Sequence, residues 1–141
     1  MEPLSLSGLP VGATLFLDSA PIIYVLEDHR EYASRYRPLF EAHDAGDVRF
    51  AISAVTIAEI LTGPFRAQDE SLARRYRAVL ESWQVVVMDS GIAETTARLR
   101  AGLRLKLGDA IQAASALAIN AAALVTHDRD FSRVKSLRVM T

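Results

Sequence analysis

The sequence contains no cysteine. This absence excludes disulfides, thiolate zinc sites and cysteine nucleophiles, and it fits a protein of a reducing compartment. The sequence also has no apolar run close to the roughly 20 residues that span a bilayer. Its first residues include Glu2 and no basic cluster, so they do not resemble a secretory signal. We therefore expect a soluble cytoplasmic protein that makes no membrane contact.

An overall excess of positive charge is absent as well, since 16 Lys and Arg stand against 17 Asp and Glu, with a net charge of -1. This balance argues against nucleic-acid binding through total charge alone. The distribution is uneven, because residues 91–141 contain 8 basic and 4 acidic side chains. Four basic residues of that stretch are predicted to contact nucleic-acid phosphates, with solvated helix faces as the alternative: Arg98, Arg100, Arg104 and Lys106.

The chain has 141 residues, of which 50% are hydrophobic, and this suits one compact domain with its own core. Five short apolar segments predict strands: Thr14–Asp18, Arg49–Ser53, Val85–Met88, Ala123–Thr126 and Leu137–Met140. Helical patterns fill the gaps, starting at Pro21, covering 31–45, 55–63, 67–83 and 90–105, and starting again at Gly108. Gly63 is expected to end the third helix, and Ser90 is expected to cap the fifth.

The predicted element order is β-α-α-β-α-α-β-α-α-β-β. Strands that are each followed by helices favour an α/β protein, with a mostly parallel four- to five-stranded sheet covered on both faces. Ligands of such sheets bind beyond the carboxyl ends of the strands. Candidate site residues should therefore come directly after strands or at the starts of the helices that follow them.

Four carboxylates occupy positions of this kind. Asp18 ends the first predicted strand, although capping the next helix is an alternative role. Glu59 is flanked by apolar residues of the third helix, and exposure on that helix is its alternative. Asp109 lies in the first turn of an alanine-rich helix, where the helix dipole alone would favour it. Asp128 follows the fourth strand, and turn chemistry would also explain it.

Taken together, these positions can converge at one edge of the sheet. Clustered carboxylates repel one another unless a cation lies among them. Oxygen ligands without cysteine or a suitably spaced histidine pair select a hard cation, Mg²⁺ or Mn²⁺, over zinc. His127 stands alone in the sequence, which is more typical of a turn residue than of a ligand.

Four segments also carry a family resemblance. LDSAPIIYVLE, SAVTIAEILTGP, LGDAIQAASAL and ALVTHDRDF resemble, in order and spacing, the acidic motifs of PIN-domain proteins, particularly the VapC-like toxins of toxin–antitoxin pairs. The resemblance spans Thr14 to Met140. It implies an α/β/α sandwich, Mg²⁺- or Mn²⁺-dependent endoribonuclease activity, a homodimer and a neutralising antitoxin. An extension over residues 1–13, before the nuclease domain at 14–141, departs from the family pattern.

By this resemblance Asp18, Glu59 and Asp109 match the three best-defined acidic positions. Asp128 matches the more variable fourth position, for which Asp130 competes. In a phosphodiester hydrolase, Asp18 and Asp109 would bind metal directly, and Glu59 and Asp128 would act through water. Two hydroxyl residues at strand ends, Ser53 and Thr126, would hydrogen-bond the carboxylates, with an ordinary strand-end role as the alternative for both. The four basic residues within 98–106 would then contact RNA phosphates.

Two other functions remain open on the sequence alone. Phosphoacceptor and phosphatase-like α/β domains also gather aspartates around Mg²⁺, but this chain has no adjacent aspartate pair at a strand end and no well-placed later lysine. A degenerate PIN domain that only binds a partner protein is the other alternative. The four intact acidic positions argue against it.

Overall fold

A computed structural model describes residues 2–141. Five strands form the sheet: β1 Ala13–Leu17, β2 Val48–Ser53, β3 Gln84–Val86, β4 Ala123–Val125 and β5 Val139–Met140. Six α-helices connect and cover them: α1 Ser19–Leu26, α2 Ala33–Asp44, α3 Ala54–Arg66, α4 Glu70–Glu81, α5 Ser90–Leu103 and α6 Leu107–Ala118. A 3-10 helix, Arg129–Arg133, lies between β4 and β5.

The strand order is β3-β2-β1-β4-β5, and every pair is parallel. Leu15 of the central strand β1 pairs with Phe50 of β2 on one side and with Ala123 of β4 on the other. The structure confirms the predicted α/β fold and the order of its elements. The 3-10 helix is an addition that the sequence pattern did not show.

Alternating residues of β1 serve two separate cores. Leu15 and Leu17 pack in a core with α1 to α4, whereas Phe16 packs in a second core with α5 and α6. All three side chains are fully buried. This alternation is the two-residue period of a strand that is covered on both faces. The molecule is therefore a three-layer α/β/α sandwich.

Two predicted helix ends are wrong. Gly63 does not end α3, which continues through the buried Pro64 to Arg66. The turn that leaves this helix is made instead at Gln68, whose φ is 54°. Proline near the end of a helix forfeits only one hydrogen bond, so its packing outweighs the local stop signal. Ser90 is not the cap of α5, because Asp89 accepts from the N–H of Ile92 at 2.8 Å and takes that role.

The third strand is shorter than predicted. It was expected to cover Val85–Met88, but β3 ends at Val86, and Val87 is 73% exposed. β3 is an edge strand that pairs only with β2, and the register ends at Ser53 with Val86. The valine run therefore continues to Val87 beyond the end of β2, where the described residues leave no partner strand to pair with it.

The residues that precede β1 pack on the domain. Leu4 is buried in the core of the α1 to α4 layer, and its N–H donates to the carbonyl of Arg35 at 2.8 Å. Ala13, predicted to belong to the extension, is the first residue of β1. Met1 lies outside the described residues. Within residues 2–141, no helix combines the length and apolarity needed to cross a membrane.

Candidate active site

A pocket of about 600 Å³ opens at the carboxyl edge of the sheet, between β1 and β4. The chain winds outward from β1 in one direction through β2 and β3, and β4 and β5 lie on the other side. The crevice at such a reversal is where parallel α/β sheets bind ligands. All four predicted carboxylates line this pocket: Asp18, Glu59, Asp109 and Asp128.

Asp18 has the most restrained side chain of the four. It caps α1 by accepting from the N–H of Ser19 at 2.9 Å, so the proposed capping role and the site position coexist. Its other oxygen, Oδ2, accepts from the hydroxyl of Thr126 at 2.8 Å. Burial is the main reason that the pKa of Asp18 is raised, and these hydrogen bonds act in the opposite direction.

Thr126 links two of the carboxylates. Its buried hydroxyl donates to Asp18 and accepts from the backbone N–H of Asp128 at 3.0 Å. Asp128 in turn caps the 3-10 helix by accepting from the N–H of Asp130 at 2.8 Å. One hydroxyl therefore fixes the end of β1 relative to the loop that follows β4.

Glu59 reaches the pocket from α3. The hydroxyl of Ser19 donates to its Oε1 at 2.8 Å, which ties α3 to the start of α1. Partial burial of the carboxyl group, followed by the proximity of Asp18, raises the pKa of Glu59. Its helix neighbour Ile60 is buried, whereas Glu59 itself is partly exposed.

Asp109 lies in the first turn of α6, as expected. Partial burial raises its pKa to about 6, and the neighbouring carboxylates Asp128 and Asp18 add to the effect. Lys106 acts in the opposite direction. Mutual repulsion across the pocket is thus a property of the folded chain.

Gln112 is a contributor that the sequence analysis missed. It is 1% exposed, its Nε2 donates to Thr56 at 2.7 Å and lies 3.4 Å from Oδ1 of Asp18. Its carbonyl oxygen accepts from the hydroxyl of Ser53 at 2.5 Å. Ser53, predicted to contact a carboxylate, therefore acts through Gln112. The available signal was a single amide in an otherwise small and apolar helix, three residues after Asp109.

The remaining predicted residues fall into two groups. Asp130 does not line the pocket and forms an exposed salt bridge with Arg133 at 3.3 Å, so Asp128 is the residue placed with the other carboxylates. Of the basic group, Arg98 faces Glu94 at 3.8 Å, and Arg100 and Arg104 line a separate shallow cleft on α5.

The donor set suits a hard divalent cation. Among residues 2–141, no three acidic or histidine side chains approach closely enough to form a ready metal-ligating group. Mg²⁺ usually keeps several waters and takes only one or two carboxylates from the protein, so a spread set of oxygen donors meets its requirement. The residues that fit are Asp18 and Asp109, which both line the pocket, and the charge of Asp18 helps to raise the pKa of Asp109.

A sequence profile described as PIN domain matches residues 15–137. The chain belongs to the PIN-domain family. The match covers all four carboxylates of the pocket and the predicted acidic motifs. A comparison with curated proteins finds no match.

Solved structures extend the comparison. A chain of a toxin–antitoxin complex from Klebsiella pneumoniae is 27% identical, with a TM-score of 0.70 over 90% of this chain and 96% of that one. A chain of VapBC2 from Rickettsia felis, in a structure with a DNA fragment from the VapBC2 promoter, is 22% identical, with a TM-score of 0.71 over 89% of this chain and 96% of that one. A chain of VapBC-1 from nontypeable Haemophilus influenzae is 24% identical, with a TM-score of 0.69 over 89% of this chain and 96% of that one. This PIN domain thus resembles the VapC toxins of toxin–antitoxin systems.

Proposed function

We propose that this PIN domain is a Mg²⁺- or Mn²⁺-dependent endoribonuclease and the toxin of a toxin–antitoxin pair. The observation that carries the proposal is the convergence of Asp18, Glu59, Asp109 and Asp128, from four separate elements, on one open pocket. Asp18 and Asp128 also cap helices, but capping does not require a common pocket. The similarity to toxin–antitoxin structures supports the biological assignment.

Asp18 and Asp109 would hold the metal, which supplies charge neutralisation at a phosphodiester and lowers the pKa of an attacking water. The chain contributes orientation. Thr126 and Ser19 fix both oxygens of Asp18, so that its carboxylate needs no rearrangement when substrate arrives. Glu59, which accepts from Ser19 and is exposed to solvent, would orient the water that attacks phosphorus.

Cleavage would join the water oxygen to phosphorus and break the bond to the leaving ribose oxygen, which takes up a proton. We assign binding of the RNA strand to contacts between basic side chains and its phosphates. Lys106 is one of these basic residues, and its charge also acts to lower the pKa of Asp109. Arg98, Arg100 and Arg104 remain proposed RNA contacts further along α5. Bases would be recognised in single-stranded regions, because duplex RNA hides them.

Two protein partners complete the proposal. The antitoxin would block the pocket with a basic side chain, since one guanidinium pairs bidentately with a carboxylate. A second copy of the chain would form the homodimer expected of the family. Residues 1–13 are proposed as an extension of the nuclease domain 14–141.

The test is cleavage of labelled single-stranded RNA by the purified chain in Mg²⁺, in Mn²⁺ and in excess EDTA. Wild type should cut only with metal, and Asp109→Asn should be inactive. The matched control is Asp47→Asn, an exposed aspartate before β2 at the opposite end of the sheet, which should cut like wild type. Cleavage undiminished in EDTA would contradict the proposal. Transfer of phosphate from acetyl phosphate to the protein without RNA cleavage would favour the phosphoacceptor alternative.

A further inference from the structure

A smaller cleft of about 250 Å³ opens beside the acidic pocket and shares His127 and Arg129 with it. Its other lining residues are Arg35 and Thr141. We propose that this cleft binds the RNA phosphate next to the one that is cleaved, with Arg129 and Nε2 of His127 as donors. The inference rests on the proposed ribonuclease function and adds a binding subsite to it.

The cleft contains two guanidinium groups, those of Arg35 and Arg129. Within residues 2–141, neither Arg35 nor Arg129 forms a salt bridge with a carboxylate side chain. Arg35 is held in place by main-chain oxygens, with Nε donating to Thr141 at 2.7 Å and Nη1 donating to Glu2 at 2.8 Å. Arg129 is exposed and directly follows Asp128. Guanidinium groups in this setting suit a phosphate, which accepts two parallel hydrogen bonds from one of them.

The ring of His127 is fixed at the wall between the two spaces. The hydroxyl of Tyr24 lies 2.8 Å from Nδ1, and the rings of Tyr24 and Tyr32 pack against it at 5.4 Å and 4.5 Å between centroids. In the proposed subsite the Tyr24 hydroxyl donates to Nδ1. An imidazole that accepts at Nδ1 carries an N–H on Nε2. Nε2 is then a donor for a phosphate oxygen.

A base-stacking platform would use the same aromatic residues but fits the packing less well. The ring of Tyr32 already contacts Tyr24 and His29, each at 4.9 Å, in addition to His127. Stacking of a base requires an open ring face. Tyr32 is thus already in contact with three neighbouring rings and supports His127, so we assign the contact with the strand to its phosphate.

The experiment measures fluorescence anisotropy of a short fluorescein-labelled single-stranded RNA of randomised sequence. It is run in Mg²⁺ over a salt series, in an Asp109→Asn background so that the RNA stays intact. Arg129→Gln should raise Kd several-fold and flatten the slope of log Kd against log salt by about 0.7, the share of one phosphate contact on a single strand. His127→Phe should weaken binding, because the N–H donor on Nε2 is lost. His127→Gln keeps an N–H donor and should restore most of the affinity, and Tyr24→Phe should give a smaller loss.

The control is Arg49→Gln, an exposed arginine at the amino end of β2, away from both spaces. If Arg129→Gln changes Kd and slope no more than this control, or if His127→Phe binds like His127→Gln, the subsite is wrong. Cleavage by wild type in Mg²⁺ is measured in parallel. Wild type that cuts RNA while the Arg129 and His127 variants bind normally overturns the subsite alone. Wild type that neither binds nor cuts overturns the proposed function and the subsite with it.

Discussion

The side-chain amide of Gln112 lies 3.4 Å from Oδ1 of Asp18, at the back of the acidic pocket. Strong hydrogen bonds to Ser53 and Thr56 fix the direction of that amide, so its N–H side faces the carboxylate. A buried amide that is fully hydrogen-bonded is a rigid part of the structure. Gln112 therefore positions Asp18 without touching the pocket.

Replacing Gln112 by Leu should lower both stability and cleavage. The change leaves the buried hydroxyls of Ser53 and Thr56 each without one partner, at a cost of about 1–3 kcal/mol in the free energy of unfolding. Urea denaturation in EDTA measures this loss, and RNA cleavage in Mg²⁺ measures the effect on Asp18. Gln84→Leu, at an exposed position on β3, is the control and should change neither. Full cleavage by the Gln112 variant would show that Asp18 is held without it.

Thr126→Val removes one hydroxyl and keeps the shape of the side chain. Because the hydrogen bond from Thr126 lowers the pKa of Asp18, we expect that pKa to rise further in the variant. A carboxyl-carbon NMR titration in EDTA measures it, and cleavage should fall, whereas Thr126→Ser should resemble wild type. Thr96→Val removes a buried hydroxyl that bonds only within α5 and is the control. An unchanged Asp18 titration in Thr126→Val would contradict the assigned hydrogen bond.

Asp109→Asn should stabilise the metal-free protein at high pH. The folded pKa of about 6 lies above the ordinary pKa of 3.8, so folding favours the protonated carboxyl. That contribution is complete below about pH 4 and is lost as pH rises through about 6. In EDTA at pH 8 the Asn variant should be more stable than wild type by about 1 kcal/mol, a figure reduced for solvent screening of a partly exposed group. Below pH 4 the difference should vanish.

Added Mg²⁺ should reverse this order at neutral pH. A ligand that binds only the folded state stabilises it by mass action, so wild type should gain melting temperature and Asp109→Asn should gain much less. The measurement is a four-way thermal melt of both proteins with EDTA or with millimolar Mg²⁺. Equal metal-induced shifts in the two proteins would remove Asp109 from the metal site.

Leu4→Ala should destabilise the protein even though the residue lies in the proposed extension. Leu4 is 9% exposed in the core of the α1 to α4 layer, and truncation of a buried leucine costs about 2 kcal/mol or more. Urea denaturation provides the comparison, with Val11→Ala as the control because Val11 is 99% exposed. A Leu4 variant as stable as wild type would mean that the extension contributes little to the domain.

The sequence predicted those parts of the fold that depend on local patterns. The apolar runs before Asp18 and Asp128 predicted β1 and β4, and the repeated strand–helix order predicted the parallel sheet. The prediction that Gly63 ends α3 is wrong because the packing of the buried Pro64 outweighs the local stop signal. Local rules are weak where tertiary contacts compete with them.

The sequence was sufficient to predict which acidic residues form the candidate site. It was not sufficient to predict the hydrogen bonds that hold them in place. Which edge each acid occupies follows from its position after a strand or at a helix start. The partners of Gln112 are 56 and 59 residues away, and Tyr24 is 103 residues from His127. No periodicity in a single sequence links residues at such separations. The sequence alone therefore favours a turn residue at His127. Its position between the acidic pocket and the smaller cleft is visible only in the structure.

The hydroxyl of Thr126 also sets when the pocket can exist during synthesis. Asp18 emerges from the ribosome early, but the groups that orient it come from α6 and from the end of β4, more than 90 residues later in the chain. A nascent polypeptide that lacks residues 123–128 has neither the central strand pair β1–β4 nor the second wall of the crevice. The four acids are thus assembled in one pocket only after residues 123–128 have been synthesised.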